Sequence, residues 1–218
     1  MVYNKESANA ISEHLLQIKA VKLNVSNPFT WASGLKSPIY TDNRKILSFP
    51  KVRTFVRQQF VDIIQEEYGS VDLIAGVATG AIAHGVLVAQ EMGLPFVYVR
   101  SSQKKHGLEN KIEGQYESGQ RVVVIEDLIS TGKSSLDAVA ALRSVGCDVR
   151  GMVAIFSYNL EKANENFKKA KCPLFTLSDY NILIEYAKNN NYISDKDLKS
   201  LAEWRKNPEK WSEDRDNK

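Results

Sequence analysis

Val122-Val-Val-Ile125 is a run of β-branched residues, followed without a break by Glu126-Asp-Leu-Ile-Ser130-Thr-Gly-Lys-Ser134. A short apolar run of this kind reads as a strand buried on both faces. Two carboxylates, Glu126 and Asp127, stand at its end, and the helix-like run Leu136–Arg143 follows Ser135. A strand feeding a small, hydroxyl-rich turn into a helix gathers backbone N–H groups and a helix N-terminus around one anion, and a phosphate suits that place. Carboxylates repel phosphate. Glu126 and Asp127 therefore need a job of their own there, such as holding ribose hydroxyls or a hydrated Mg²⁺.

Two other readings of the segment are weaker. Gly132-Lys-Ser134 has the tail of a Walker A loop, but the glycine that loop needs five positions earlier is Asp127. An ordinary strand–loop–helix capped by Ser134 or Ser135 gives no reason for adjacent acids after a buried strand.

The 218 residues can bury one sizeable core and hardly two, so the expectation is a single domain over 1–218. A net charge of +3 is too small to argue for nucleic acid. Cys147 and Cys172 have no metal-like spacing and read as reduced thiols of a cytoplasmic protein. The start, Met-Val-Tyr-Asn-Lys-Glu, has no signal-peptide apolar region. Residues 73–99 lack Lys and Arg, yet glycines, His84 and Pro95 divide them into strand, helix and strand rather than a membrane span.

Helical spacing is found at 5–20, 51–67, 80–92, 135–145, 160–170, 178–190 and 195–206. Strands are predicted at 73–75, 96–99, 122–125, 149–156 and 174–177. Such alternation predicts an α/β fold with a mostly parallel central sheet flanked by helices. Ligands of these sheets bind beyond the carboxyl ends of the strands, where Glu126 and Asp127 fall. The segment 207–218 is polar and is expected to fray. His84 reads as structural, His14 as a surface residue, and Trp204 and Trp211 as packing or interface residues.

Two further segments are unusual. Residues 100–111 carry Arg100, Lys104, Lys105, His106 and Lys111 without apolar periodicity, so they predict a long loop. Loops of that length in a compact domain are usually functional or disordered, and a solvated charged loop is the bland alternative. Residues 27–44 mix turn residues (Pro28, Ser33-Gly34, Ser37-Pro38) with aromatics and end in Asp42-Asn-Arg44. By pattern alone they form an irregular hairpin.

The acidic pair and the Ser130–Ser134 turn resemble the 5-phosphoribosyl-1-diphosphate (PRPP) signature of type I phosphoribosyltransferases. Phe29-Thr30, Ser33-Gly34, Ser37-Pro38-Ile-Tyr40 and Asp42-Asn-Arg44 resemble the N-terminal base-binding hood of the orotate-using members, and Arg100…Lys104-Lys-His-Gly107 resembles their catalytic loop. The resemblance implies a type I phosphoribosyltransferase fold with a hood contributed by about residues 1–48. It implies transfer of 5-phosphoribosyl from PRPP to orotate, giving orotidine 5′-monophosphate and diphosphate in pyrimidine biosynthesis.

The same resemblance assigns residues. Arg100, Lys104 and His106 would act on the departing diphosphate, reaching across a homodimer interface, with Lys105 beside them. Glu126, Asp127, Leu128, Ile129, Ser130, Thr131, Gly132, Lys133 and Ser134 would hold the ribose hydroxyls and 5-phosphate. Orotate would meet Ser130 and the backbone near Tyr40 and Thr41. Arg44, read from its chemistry, is a candidate for the orotate carboxylate, which a guanidinium binds bidentately. Mg²⁺ would arrive on PRPP's own oxygens, with no direct protein ligand and neither nucleic acid nor membrane as partner. Departures from the family pattern are Ser101 after the loop arginine, Trp31 or Ala32 in place of a hood lysine, and no lysine within Gly76–Gly80. Ser157–Leu160 has no arginine, and Glu126 stands where Asp is common. A purine phosphoribosyltransferase and a PRPP-sensing regulator are the rival readings. The hood argues against the first, and the lack of a basic face or spare domain against the second.

Overall fold

Among the described residues, ten strands and eight α-helices are arranged around a six-stranded sheet whose neighbours run β10-β9-β8-β5-β6-β7. The computed structural model describes residues 1–31, 33–100 and 111–216. The sheet strands are β5 (Leu73–Val77), β6 (Phe96–Val99), β7 (Ile112–Glu113), β8 (Arg121–Ile129), β9 (Asp148–Ser157) and β10 (Leu174–Asp179). All pair in parallel except β7, which returns antiparallel to β6. The helices are α1 (Lys5–Gln17), α2 (Pro50–Ile63), α3 (Ile82–Met92), α4 (Lys133–Ser144), α5 (Glu161–Lys169), α6 (Tyr180–Asn189), α7 (Asp195–Lys206) and α8 (Pro208–Asp216).

Side chains of a strand alternate between faces, and in β8 both faces are apolar. Val123 and Ile125 enter one buried cluster with Ile11, Phe60 and Leu183; Val122 and Val124 enter the other with Val139, Leu142 and Phe167. The mostly parallel, helix-covered sheet expected from the sequence is the fold that forms.

Chain order reverses at β5, which has β6 on one side and β8 on the other. The crevice between the carboxyl ends of β5 and β8 is therefore the topological switch point, the usual ligand site of such sheets. Pairing of β5 with β8 stops at Gly76↔Ile125, whereas β8 continues beside β9 to Ile129↔Ser157. The expected end of this strand at Ile125 is thus corrected. The acidic pair lies inside its last turn of pairing, because β9 still offers a partner where β5 has ended.

The N-terminal part supplies β1 (Val21–Leu23), which pairs with β4 (Ile39–Thr41), and a hairpin of β2 (Phe29–Thr30) with β3 (Lys36–Ser37). A 3-10 segment, Asn43–Ser48, follows β4. The tail expected to fray is corrected as well: 208–216 is helix α8, with Trp211 only 4% exposed and Ser212 accepting a hydrogen bond from the Lys36 N–H at 2.9 Å. Trp204 of α7 is fully buried among Trp31, Tyr158 and Tyr180, so packing accounts for it. His84 is buried and its pKa is pushed down to about 4 by burial, then by Arg53, as a structural histidine. His14 differs from its expected surface place, being half-buried edge-on to Phe55 at 5.5 Å. Both cysteines are free thiols and buried.

Candidate active site

The switch point is lined from three directions: the end of β8 with the turn into α4, the loop after β5, and the hood. At the first, Gly132 adopts a left-handed backbone (φ 76°) and α4 begins at Lys133 with no side-chain cap. A Cβ at Gly132 would lie 2.7 Å from the Phe167 ring, so the turn needs both the conformation and the missing side chain of glycine. The turn is held from outside: Asn166 Nδ2 donates to the Thr131 carbonyl at 2.9 Å, and the Tyr158 N–H to the Ile129 carbonyl at 3.0 Å. Neither Ser134 nor Ser135 caps α4. The uncapped N–H groups of its first turn are left to an anion.

The acidic pair divides its labour. Adjacent strand residues point to opposite faces, and Glu126 points inward, 5% exposed. Its Oε2 accepts from the Ser135 hydroxyl at 2.7 Å and its Oε1 from the Asp127 N–H at 2.9 Å. Burial, then the neighbouring Asp127, pushes the Glu126 carboxyl up to about 8. Asp127 stays half-buried, its carboxylate beside Gly80. The repulsion expected from two carboxylates at a phosphate is thereby reduced: one is turned inward, where burial disfavours its charge, and one is left to meet polar hydroxyls.

The pH dependence follows in sign. A carboxyl whose folded pKa is raised contributes stability that is complete below the ordinary Glu range and lost as pH climbs through 8. Relative to the parent, Glu126→Gln is therefore expected to gain stability between pH 5 and 8, by more than about 1 kcal/mol. Denaturant midpoints of both ligand-free proteins at the two pH values check this; a gap that does not change with pH means an ionised Glu126.

In the second wall, Ala78 and Thr79 are joined by a cis peptide, and the Ala78 N–H bonds the Val99 carbonyl at 2.9 Å. Gly80 presses against the β8 acid: a Cβ there would stand 2.2 Å from Asp127 Oδ2. Gly80→Ala must swing that carboxylate away, while a flexible side-chain end yields at little cost to the fold. The variant is expected to melt within about 4 °C of the parent and to bind PRPP less tightly, read by thermal melts and PRPP titration. Unchanged PRPP affinity would mean that Asp127 is not part of the site. Neither Gly80 nor the fit it makes was signalled by sequence pattern.

Arg100, Lys133 and Ser134 meet in a cleft of about 220 Å³ shared with Val77, Ala78 and Asp137. Arg100 is half-buried and its Nη1 donates to Glu113 Oε1 at 3.3 Å. Lys104, Lys105 and His106 lie outside the described residues. Ser130 and Thr131 are half-buried, Leu128 packs on one core cluster and Ile129 is buried in the other, so these last two support the turn by packing.

The third wall is the hood. Tyr40 is 36% exposed and tilted against Phe29 with ring centroids 5.7 Å apart. Thr41 Oγ1 is buried beside the Tyr158 hydroxyl. Arg44 is exposed, and its Nε bonds Asp42 Oδ1 at 2.7 Å; that pairing raises its pKa further. Trp31, at the place of the absent hood lysine, stacks on Tyr158 at 5.2 Å and so ties the hood to the core.

Fold and site together define a phosphoribosyltransferase, and residues 44–187 match the family described as "Phosphoribosyl transferase domain". The orotate phosphoribosyltransferase of Porphyromonas gingivalis is 54% identical over 207 residues, covering 95% of this chain and 99% of its own. That of Phocaeicola vulgatus is 57% identical over 200 residues, covering 92% of this chain and 94% of its own. The crystal structure of orotate phosphoribosyltransferase from Aeropyrum pernix matches with a TM-score of 0.73 at 24% identity, covering 84% of this chain and 99% of that one, a likeness of fold. The chain belongs to the orotate phosphoribosyltransferase family.

Proposed function

We propose that this chain transfers the 5-phosphoribosyl group of PRPP to orotate, releasing diphosphate and orotidine 5′-monophosphate for pyrimidine biosynthesis. The observation that carries the reading is Asp127, the accessible member of the acidic pair, set between an uncapped helix N-terminus and the hood. A carboxylate accepts the hydroxyls of a ribose, and the backbone N–H groups of Ser130–Ser134 take its 5-phosphate. Orotate then lies between the backbone of Tyr40–Thr41 and Ser130, with Arg44 offering its remaining N–H groups to the orotate carboxylate.

The C1–O bond to diphosphate breaks early, leaving oxocarbenium character on the ribose and growing negative charge on the leaving group. Lys104, Arg100 and His106 meet that charge and so favour the transition state over the ground state. No covalent nucleophile is required. With Glu126 buried, Asp127 is a sparse donor set for a divalent ion, which fits Mg²⁺ carried by PRPP's own oxygens rather than by a protein cage. When bound, the ion neutralises diphosphate charge. The working form is a homodimer in which each basic loop serves the partner's site, in the cytoplasm; among the described residues no helix is long and apolar enough to cross a membrane.

The test follows the ultraviolet absorbance of orotate in purified protein with PRPP and Mg²⁺. Loss of that absorbance, dependent on all three additions, is the expected result. Untouched orotate with conversion of a purine base would move the hood to another substrate. PRPP binding without turnover of any base would point to a sensor.

A further inference from the structure

We infer that Asn43 is a positioning residue for the phosphoribosyl site, clamping the main chain of Asp127 and thereby fixing where its carboxylate points. The inference rests on the reading above, in which Asp127 meets the ribose. Past Ile125, β8 has lost β5 as a neighbour. Asp127 there gives its main-chain groups to side chains: its N–H donates to Glu126 Oε1 at 2.9 Å, and its carbonyl accepts from Asn43 Nδ2 at 2.6 Å. With Gly80 packed against its carboxylate, the residue is held on three sides.

Asn43 is built for this contact. It is 1% exposed and opens the 3-10 segment one residue after β4, so it joins the hood to the end of β8. Only an amide NH₂ can stand at hydrogen-bond distance from a carbonyl oxygen, which fixes the amide's orientation. Oδ1 therefore faces away, buried and without a hydrogen bond among the described residues. Buried polar side chains that serve only the fold usually have partners for each polar atom. Here one half of the amide is satisfied, and the satisfied half is the one on Asp127. Because Tyr40 and Thr41 lie in the strand just before it, separated only by Asp42, the same clamp keeps the base end of the pocket in register with the ribose end.

The test is PRPP binding in the presence of Mg²⁺ and the absence of orotate, measured by calorimetry on the full chain. Asn43→Ala and Asn43→Leu are compared with Ser12→Ala, which removes a buried 2.8 Å hydrogen bond to Ser178 away from the site. Both Asn43 variants are expected to bind PRPP about tenfold more weakly, the scale of one lost positioning hydrogen bond. Ser12→Ala is expected to melt lower with PRPP affinity intact. Asn43→Leu restores volume, so it carries the comparison if the alanine variant does not fold. Asn43 variants that bind PRPP within about twofold of the parent, whatever their melting temperatures, overturn the proposal. A parent protein that fails to bind PRPP sinks the phosphoribosyl reading instead, and is seen before any variant is made.

Discussion

Lys104→Ala is expected to lower kcat for orotate consumption by about 10²–10³-fold, the usual loss for one preorganised donor to transition-state charge. The reaction creates little bonding for a protein to assist; the barrier lies in the charge that accumulates on the departing diphosphate. A lysine ammonium is a compact point charge on a flexible stem, suited to a leaving group that moves away as it forms. Because its interaction grows along the reaction, removal should fall on kcat more than on the KM for PRPP. Lys105→Ala, by contrast, should act mainly on KM. The 101–110 segment has no apolar periodicity, so neither change is expected to move the melting temperature beyond the range of ordinary surface substitutions. If the loop serves the partner's site, mixing inactive Lys104→Ala with inactive Asp127→Asn subunits restores about a quarter of parental activity, as random exchange in a two-fold dimer requires. A Lys104→Ala enzyme within threefold of parental kcat removes the residue from the catalytic machinery.

The parts of the site legible in the sequence were those written in contiguous residues. The β-branched run, the acidic pair and the small turn belong to one strand–loop–helix, so spacing alone placed this turn and its helix start beyond the strand end at the switch point. The hood was marked by its resemblance to a family motif rather than by periodicity, and the basic segment 101–110 lies outside the described residues. What the pattern could not show was how distant segments close on Asp127: Gly80 and Asn43 touch it from the other walls, 47 and 84 positions earlier in the chain. A glycine after a strand and an asparagine in a turn are too common to single out. The split between Glu126 and Asp127 was half legible, since neighbours on a strand must face opposite ways; which one turns inward depended on Ser135 and the packing beneath it.

Helix α8 was missed for a different reason. Asn207–Lys218 offers Trp211 as its sole apolar residue, so no periodicity exists to detect. Its start signal was nevertheless present: Asn207 Oδ1 accepts the Lys210 N–H at 3.0 Å, Pro208 occupies the first helical position and Glu209 the first turn. Such a helix forms only because Trp211 docks, with its Nε1 on Ser200 Oγ at 3.0 Å and the Arg215 guanidinium 3.7 Å over its ring.

That C-terminal pair of helices carries the second large effect. Trp204→Ala is expected to cost about 3–5 kcal/mol, the range for deleting a fully buried large aromatic side chain. For a chain of this length that corresponds to a fall of about 6–20 °C in melting temperature. The indole sits with ring centroids 5.7 Å from Trp31, 5.6 Å from Tyr158 and 5.4 Å from Tyr180, so its loss opens a cavity bounded by three other rings. Two of those rings stack on each other, Trp31 on Tyr158, and Trp31 belongs to the hood in which the proposed function places the base. The phosphate turn is reached only indirectly, through the Tyr158 N–H on Ile129. Destabilisation should therefore be accompanied, below the melting transition, by a rise in KM for orotate that exceeds any rise for PRPP. Trp204→Phe keeps a ring in the cluster and should lose roughly half as much stability or less. Thermal melts and the two KM values decide the matter. Equal rises in both KM values would make Trp204 a residue of the fold alone, and a melting temperature within about 2 °C of the parent would show that α7 does not anchor the hood.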